Sequence, residues 1–544
     1  MELDSELINK YNGITGRCIV IILKCGEMCS QHISSQIQKT NLIVNDKGQE
    51  VKKFMGVSSG TSKKGLTFEQ WMKIAGIAVS LVIFAAIYTM PTPVQMTLQG
   101  KASLACFGMA FVLWVTQAVP TYAAALVAIC MLVFTGAWTQ KETLAVFGQD
   151  VIWLMLAAFV INSGMEKSGF AKRLALFIVS KFGTTAKKAL ISLGVVNLLL
   201  AFIVPSTTAR AAMLLPICMM ILKVYQAVPG ESNFGKQLMI QEIHFNNIST
   251  EGILTATAGQ IMAVGYILDM TGQDVTWGDW FMASMPITII TLIVSLIIGE
   301  LLFKCEMKHP PVSAGKSASD ELKEQLKELG PMTKTEIKAL IIFGVTVFLW
   351  ATDGHHLEMF GFQISLVMVA ILASALFFLP YIGVLNWKET KIPWDLMVFS
   401  AGAYSVGLSL DASGAASFLL NSVFDKFDLA SLNTFTLFMI VMFIASFSHL
   451  VFTSKTVRVV ILLPAIILIA QKVGVNPMLL ALPASFTICD SITLPPHCKP
   501  NLIFYSTGYF SVQDQFIYGM LVLAAKWVIM GIAYFTWFRV VGLV

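Results

Sequence analysis

From residue 70 to the C-terminus, long apolar stretches alternate with short polar breaks. Many run for about 20 residues, the length of helix that crosses a hydrocarbon core of about 30 Å. They lack the period-2 alternation of barrel strands, and lipid admits only helices or closed barrels. The pattern therefore predicts an all-α polytopic membrane protein. Its apolar segments fall roughly at 70–90, 103–120, 121–138, 151–182, 186–204, 209–227, 244–271, 280–303, 337–352, 361–380, 392–424, 431–451, 457–474, 477–510 and 516–541. Several are half-length or interrupted.

Two segments stand outside this pattern. Residues 1–66 are mixed and polar, and their apolar run Cys18–Leu23 is too short to span. They lack the apolar core and small-residue cleavage site of a signal peptide, so they read as a polar N-terminal tail. Residues 304–336 carry Lys304, Lys308, Lys316, Lys323, Lys327 and Lys334 among acidic residues. They read as a cytoplasmic linker between a first half, 67–303, and a second half, 337–544.

Composition agrees. The chain is 56% hydrophobic and 13% charged, with mean hydropathy +0.74, whereas soluble domains carry about 25% charged residues. The net charge of +5 fits basic cytoplasmic loops rather than nucleic-acid binding. The nine cysteines are scattered; Cys25 and Cys29 have no neighbours to complete a metal set, so free thiols are expected.

The halves repeat one another. Ser206-Thr-Thr-Ala-Arg-Ala-Ala-Met-Leu-Leu-Pro216 aligns without a gap on Ser454-Lys-Thr-Val-Arg-Val-Val-Ile-Leu-Leu-Pro464, and six of eleven positions are identical. Trp153-Leu154-Met155 and Trp394-Asp395-Leu396-Met397 precede their respective motifs, with Ser168-Gly169 and Ser413-Gly414 downstream of each. After each motif comes an apolar segment interrupted by glycine or proline, 244–271 and 477–510. Interrupted helices at corresponding positions of two repeats point to a transporter with a midplane binding site.

If 186–204 with 209–227, and 431–451 with 457–474, are re-entrant hairpins, the first half has six crossings and the second five, about 11 in all. The tail, with nine Lys/Arg, and the Lys-rich linker then share the cytoplasmic side. The C-terminus lies outside, and two five-crossing repeats are inverted relative to each other.

A helix starting at Ser206-Thr207-Thr208 exposes free N–H groups and the positive end of its dipole, and its hydroxyls cap and donate. Such a start suits a carboxylate or sulfate. Two facing tips suit two carboxylates of one substrate.

With these motifs in order, the chain resembles the divalent anion/sodium symporter family, which moves dicarboxylates, citrate and sulfate. That family carries a Ser-Asn-Thr motif at the tip of each of two opposed hairpins, with a downstream proline. Ser206-Thr207-Thr208 with Pro216, and Ser454-Lys455-Thr456 with Pro464, stand at those positions. A Thr-Pro-Pro-Asn-like break follows each hairpin. His497-Cys498-Lys499-Pro500-Asn501 fits its closing Pro-Asn, and Ala256-Thr257-Ala258-Gly259-Gln260 keeps a threonine and an amide. The resemblance covers about residues 70–544. It implies a homodimer in the plasma (inner) membrane, a transport part moving as an elevator, and sodium as coupling ion with no organic cofactor. It also implies substrate contacts at Ser206, Thr207, Thr208, Ser454, Lys455, Thr456 and Asn501, and a candidate cation site at Ser206, Thr257, Gln260, Ser454, Pro500 and Asn501.

This chain departs from the family at both central asparagines. Thr207 keeps a hydroxyl. Lys455 introduces an ammonium, and a buried charge in a membrane costs at least ~2.5–3.5 kcal/mol on insertion scales, so a partner is expected. Lys455 pairs with the substrate, stands in for a sodium ion and makes the protein a sodium-independent exchanger, or else snorkels to water or pairs with Asp490. Arg210 and Arg458, four residues after each serine, either neutralise a carboxylate or brace the hairpin. With Lys455 and Asp490 they form the candidate charge-coupling set. Asp490, His497 and Lys499 are a candidate proton- or cation-sensing cluster. His449 reads as an interfacial or packed histidine, and Gln241, Glu242, His244, Asn246 and Asn247 as a solvated loop. No H-E-x-x-H pattern occurs, so the expected function is a carrier of small di- or tricarboxylates or sulfate, not an enzyme. A channel is the remote alternative.

Overall fold

The computed structural model describes residues 67–204, 206–306, 309, 318–416, 418–419 and 432–544. The tail 1–66, Lys308, Lys316 and the end of the 392–424 segment lie outside the described residues. Among the described residues every regular element is helical. Eight helices are long and apolar enough to cross a membrane, or nine if a pair bent by 65° counts as one. Four shorter apolar helices accompany them.

The helices are, in order, α1 Phe68–Thr89, α2 Leu98–Thr116, α3 Thr121–Phe134, α4 Gln140–Ala145, α5 Asp150–Ser168, α6 Phe170–Phe182, α7 Ala186–Ile203 and α8 Thr207–Val224. There follow α9 Asn233–Glu251, α10 Ala258–Thr271, α11 Trp277–Leu302, α12 Ala318–Glu328, α13 Lys334–Ala351, α14 His356–Phe360 and α15 Leu366–Phe378. The rest are α16 Trp394–Ala412, α17 Thr434–Phe447, α18 Lys455–Val473, α19 Pro477–Thr487, α20 Lys499–Tyr505, α21 Val512–Phe535 and α22 Trp537–Val540.

Local sequence sets the ends. Thr67, Thr276, Thr333 and Ser511 each form a reciprocal capping box with the residue three positions on, Gln70, Asp279, Glu336 and Asp514. Each box satisfies two otherwise orphaned N–H groups where an apolar helix begins. The repeated Ser-Gly pair has one conformation in both places. Gly169 (φ 79°) and Gly414 (φ 73°) are left-handed, a region in which glycine carries no Cβ penalty.

The packing repeats as well. The Trp-containing helix α5 lies against α15, and its counterpart α16 lies against α3. Both contacts need a glycine. A Cβ on Gly164 would fall 2.4 Å from the Phe377 ring, and one on Gly402 would fall 2.7 Å from Ala125 Cβ. Helix α8, leaving the first tip, packs on α9 and on α20; helix α18, leaving the second, packs on α19 and on α10. Each tip helix therefore touches an interrupted segment of its own half and one of the other.

One expectation is overturned here. Gln241, Glu242, His244, Asn246 and Asn247 are not a solvated loop but the middle of α9, and all five are buried. A helix this polar can be buried because its side chains find partners. Gln241 Nε2 donates to Ser295 Oγ at 2.8 Å, and His244 Nδ1 lies 3.0 Å from the same oxygen. Asn197 Nδ2 donates to Glu242 Oε2 at 3.0 Å. The interrupted segment thus begins at Asn233, not 244.

Within 304–336, α12 packs on α6. Arg173 of α6 donates to Glu336 Oε1 at 2.6 Å and to the carbonyl of Gly330 at 2.7 Å, which ties this connection to the helical body.

Candidate functional site

Both tips are built alike. Ser206 caps α8 by accepting from the Ala209 N–H at 3.3 Å, and Ser454 caps α18 by accepting from the Val457 N–H at 3.3 Å. Pro216 and Pro464 lie inside the two helices. The six tip residues, Ser206, Thr207, Thr208, Ser454, Lys455 and Thr456, are all half-buried. Each helix start also presents the positive end of its dipole.

The interrupted segments match in detail. In the first, α9 ends at Glu251, a short turn spans Leu254–Ala256, and extended Thr257 (φ −149°, ψ 150°) opens α10. In the second, α19 ends at Thr487, a short turn spans Pro495–His497, and extended Cys498 (φ −157°, ψ 157°) opens α20. Gln260 Nε2 donates to the Thr250 carbonyl at 3.1 Å, ten residues back. Asn501 Nδ2 donates to the Ser491 carbonyl at 2.7 Å, also ten residues back.

The arginines complete the match. Arg210 Nη2 donates to Thr250 Oγ1 and, at 3.2 Å, to the Asn246 carbonyl, while Nη1 donates to the Asn197 carbonyl at 3.3 Å. Arg458 Nη2 donates to Ser491 Oγ at 2.6 Å. Both arginines are fully buried. They fasten each tip helix to the break of its own interrupted segment.

The tips differ at one position. Lys455 Nζ donates to Asn247 Oδ1 at 2.7 Å. Asn247 Nδ2 in turn donates to the Ile243 carbonyl at 2.9 Å and reaches Asn501 Oδ1 at 3.5 Å. The ammonium thus crosses from the second tip to an amide of the first interrupted segment, which links it to Asn501. At the first tip, Asn246 Nδ2 donates to the Thr207 carbonyl at 2.9 Å. Among the described residues, the buried oxygens Asn246 Oδ1 and Gln260 Oε1 accept no hydrogen bond. Amide oxygens of this kind suit a small hard cation.

Asp490 is not the partner of Lys455. It is held by Lys526 of α21, whose Nζ lies 2.6 Å from Asp490 Oδ2 and 2.6 Å from Glu251 Oε2. The expected cluster of Asp490, His497 and Lys499 is likewise not formed. His497 Nδ1 lies 3.3 Å from Thr493 Oγ1, and Lys499 is exposed. His449 is packed as expected, buried with Nε2 2.8 Å from Thr493 Oγ1. Pro500 opens α20 beside Asn501, and Thr257 Oγ1 lies 4.0 Å from Cys489 Sγ.

Sequence reasoning missed Glu251, Ser491 and Lys526, and read Asn247 as part of a loop. The spacing Asn247–Glu251 and Glu242–Asn246–Thr250, four residues apart, is the helical signal that marks two polar stripes on α9.

Comparison with known proteins places this architecture. The family model described as the sodium:sulfate symporter transmembrane region matches residues 71–544. The chain belongs to this family. As a sodium:sulfate symporter family member it is an integral membrane protein that transports small anions. It is 26% identical over 485 residues to the sodium-dependent dicarboxylate transporter SdcS of Staphylococcus saprophyticus, covering 85% of this chain and 91% of that one. It is 25% identical over 491 residues to the putative malate transporter YflS of Bacillus subtilis, covering 89% and 99%. The YdaH transporter structure of Alcanivorax borkumensis aligns with TM-score 0.46 at 11% identity, covering 86% of this chain and 98% of that one.

Proposed function

We propose that this family member is a secondary active carrier of small dicarboxylates, held between the tips at 206–208 and 454–456. The matched capping at Ser206 and Ser454 carries the reading: two half-buried helix starts of one geometry suit the two ends of one dianion. Both tips are braced through arginine to the breaks of interrupted segments, which supports two inverted repeats and an elevator-type movement of the tips and breaks together. The homologues' names favour dicarboxylate over tricarboxylate or sulfate. The assembly is a homodimer in the plasma (inner) membrane, with the N-terminus cytoplasmic and the C-terminus outside.

Sodium is the coupling ion, bound at the first tip by Ser206, Thr257 and Gln260, where amide oxygens are left open. Lys455 favours a second reading, sodium-independent exchange, because its ammonium is linked through Asn247 to Asn501, where the second cation site would be. Uptake of labelled succinate or malate into proteoliposomes tests both readings. Saturable, sodium-stimulated uptake supports symport, and counterflow indifferent to sodium supports exchange. Unsaturable flux without counterflow overturns the carrier reading.

A further inference from the structure

Lys526, Glu251 and Asp490 are buried together at the meeting point of both interrupted segments. Glu251 is the last residue of α9, where the first segment breaks. Asp490 lies in the break of the second, three residues past the end of α19. Lys526 projects from α21 and donates to both at 2.6 Å. The Trp280 indole of α11 donates to the Glu251 carbonyl at 2.9 Å, which fixes the break itself.

The acceptor inventory does not close. One ammonium serves one oxygen of each carboxyl group. Among the described residues the other two, Glu251 Oε1 and Asp490 Oδ1, are buried and accept no hydrogen bond. One nitrogen, Lys526 Nζ, holds both carboxyl groups at 2.6 Å, which makes them neighbours. Two ionised carboxylates are acceptors only and repel, so they cannot satisfy each other; one proton shared between them makes one a donor. The other charged or titratable groups within electrostatic reach of Asp490 are Arg458 on α18, His244 on α9, His449 before the second tip and the neighbouring Cys489 thiol. Arg458 reaches Ser491 through Nη2, His244 meets Ser295 through Nδ1, His449 meets Thr493 through Nε2, and the Cys489 thiol lies 4.0 Å from Thr257 Oγ1. None of them donates to the open oxygens.

We propose that the Glu251–Lys526–Asp490 triad is a proton-coupling site, protonated on one carboxyl group when the carrier moves its anion. The proposal rests on the carrier reading above and adds a coupling ion to it. One proton enters from the side on which the anion binds, occupies the Glu251–Asp490 pair, and leaves to water on the other side with the anion. No bond other than the carboxyl O–H forms or breaks. Because each carboxyl group sits in a break, its protonation reaches both interrupted segments at once. At the second tip, where Lys455 already supplies a fixed cation, the proton takes over the coupling a sodium ion would provide.

The test uses the full chain in proteoliposomes containing a trapped pH dye, with the membrane potential clamped. Adding succinate outside should acidify the lumen, and an inward proton gradient should raise net succinate uptake. Glu251→Gln mimics the protonated carboxyl group. It should abolish net uptake and lumenal acidification while anion-for-anion exchange persists, because a carrier that cannot release its proton returns only when loaded. Asp490→Asn should behave the same way and guards against a folding failure in the first variant. Succinate uptake by the wild type without acidification overturns the triad proposal and leaves the carrier standing. Absence of any saturable uptake overturns the carrier reading first. A folded Glu251→Gln with normal net uptake and acidification assigns the triad a structural role only.

Discussion

Arg458 donates from Nη2 to Ser491 Oγ at 2.6 Å, at the place where Arg210 meets Thr250 in the other interrupted segment. Among the described residues, Nε and Nη1 of Arg458 have no hydrogen-bond partner. Its hold on the break therefore runs through one serine, whereas Arg210 also reaches the carbonyls of Asn197 and Asn246. Ser491→Ala should destabilise the protein by about 2 kcal/mol, the usual loss for a buried hydrogen bond to a charged group. Thermal unfolding in detergent would register it. Thr250→Ala should cost less, and equal losses at both positions would contradict the asymmetry.

Lys455 decides how the second tip is charged. Lys455→Asn removes the ammonium and restores the residue type that this family carries at both tips. Uptake by the variant should become more dependent on sodium than that of the wild type, as read in paired uptake assays with sodium or choline. An unchanged sodium response would show that Lys455 does not occupy a cation's place.

Thr208 and Thr456 present hydroxyls at the two tips, both half-buried. Thr208→Ala and Thr456→Ala should each lower succinate affinity roughly tenfold, the effect of one lost hydrogen bond to a charged group. Thermal stability should stay close to wild type, because the caps are Ser206 and Ser454. Concentration series of uptake check the first expectation and melting curves the second.

Gly164 is the contact point between α5 and α15. Gly164→Val places carbon 2.4 Å from the Phe377 ring and should destabilise by about 1–3 kcal/mol through overpacking. Phe377→Leu alone should also destabilise, and the double variant should recover part of the loss. Additive losses in this cycle would mean that the two side chains do not meet.

How much of this was legible in the chain depends on the kind of signal. The membrane class came from apolar stretches, since burying that much apolar surface in one soluble core is not feasible at 13% charge. The tips were legible because an eleven-residue repeat preserved their serines, arginines and prolines. The Ser-Gly pairs were legible because a left-handed helix end selects glycine. The stretch 241–247 was misread. Its polarity matched a loop, and only partners distant in sequence, such as Ser295 and Asn197, make a buried helix of it.

The sequence by itself determined the class of fold, the two tips and the one position at which they differ, because those properties reside in local composition and in a repeat. The tertiary structure decided which partner each buried charge has. It gave Lys455 to Asn247 rather than Asp490, Asp490 and Glu251 to Lys526, and the arginines to Thr250 and Ser491. A charge in a low-dielectric interior must be paired. The pairing joins residues up to 275 positions apart in the chain, a separation across which no local pattern carries information.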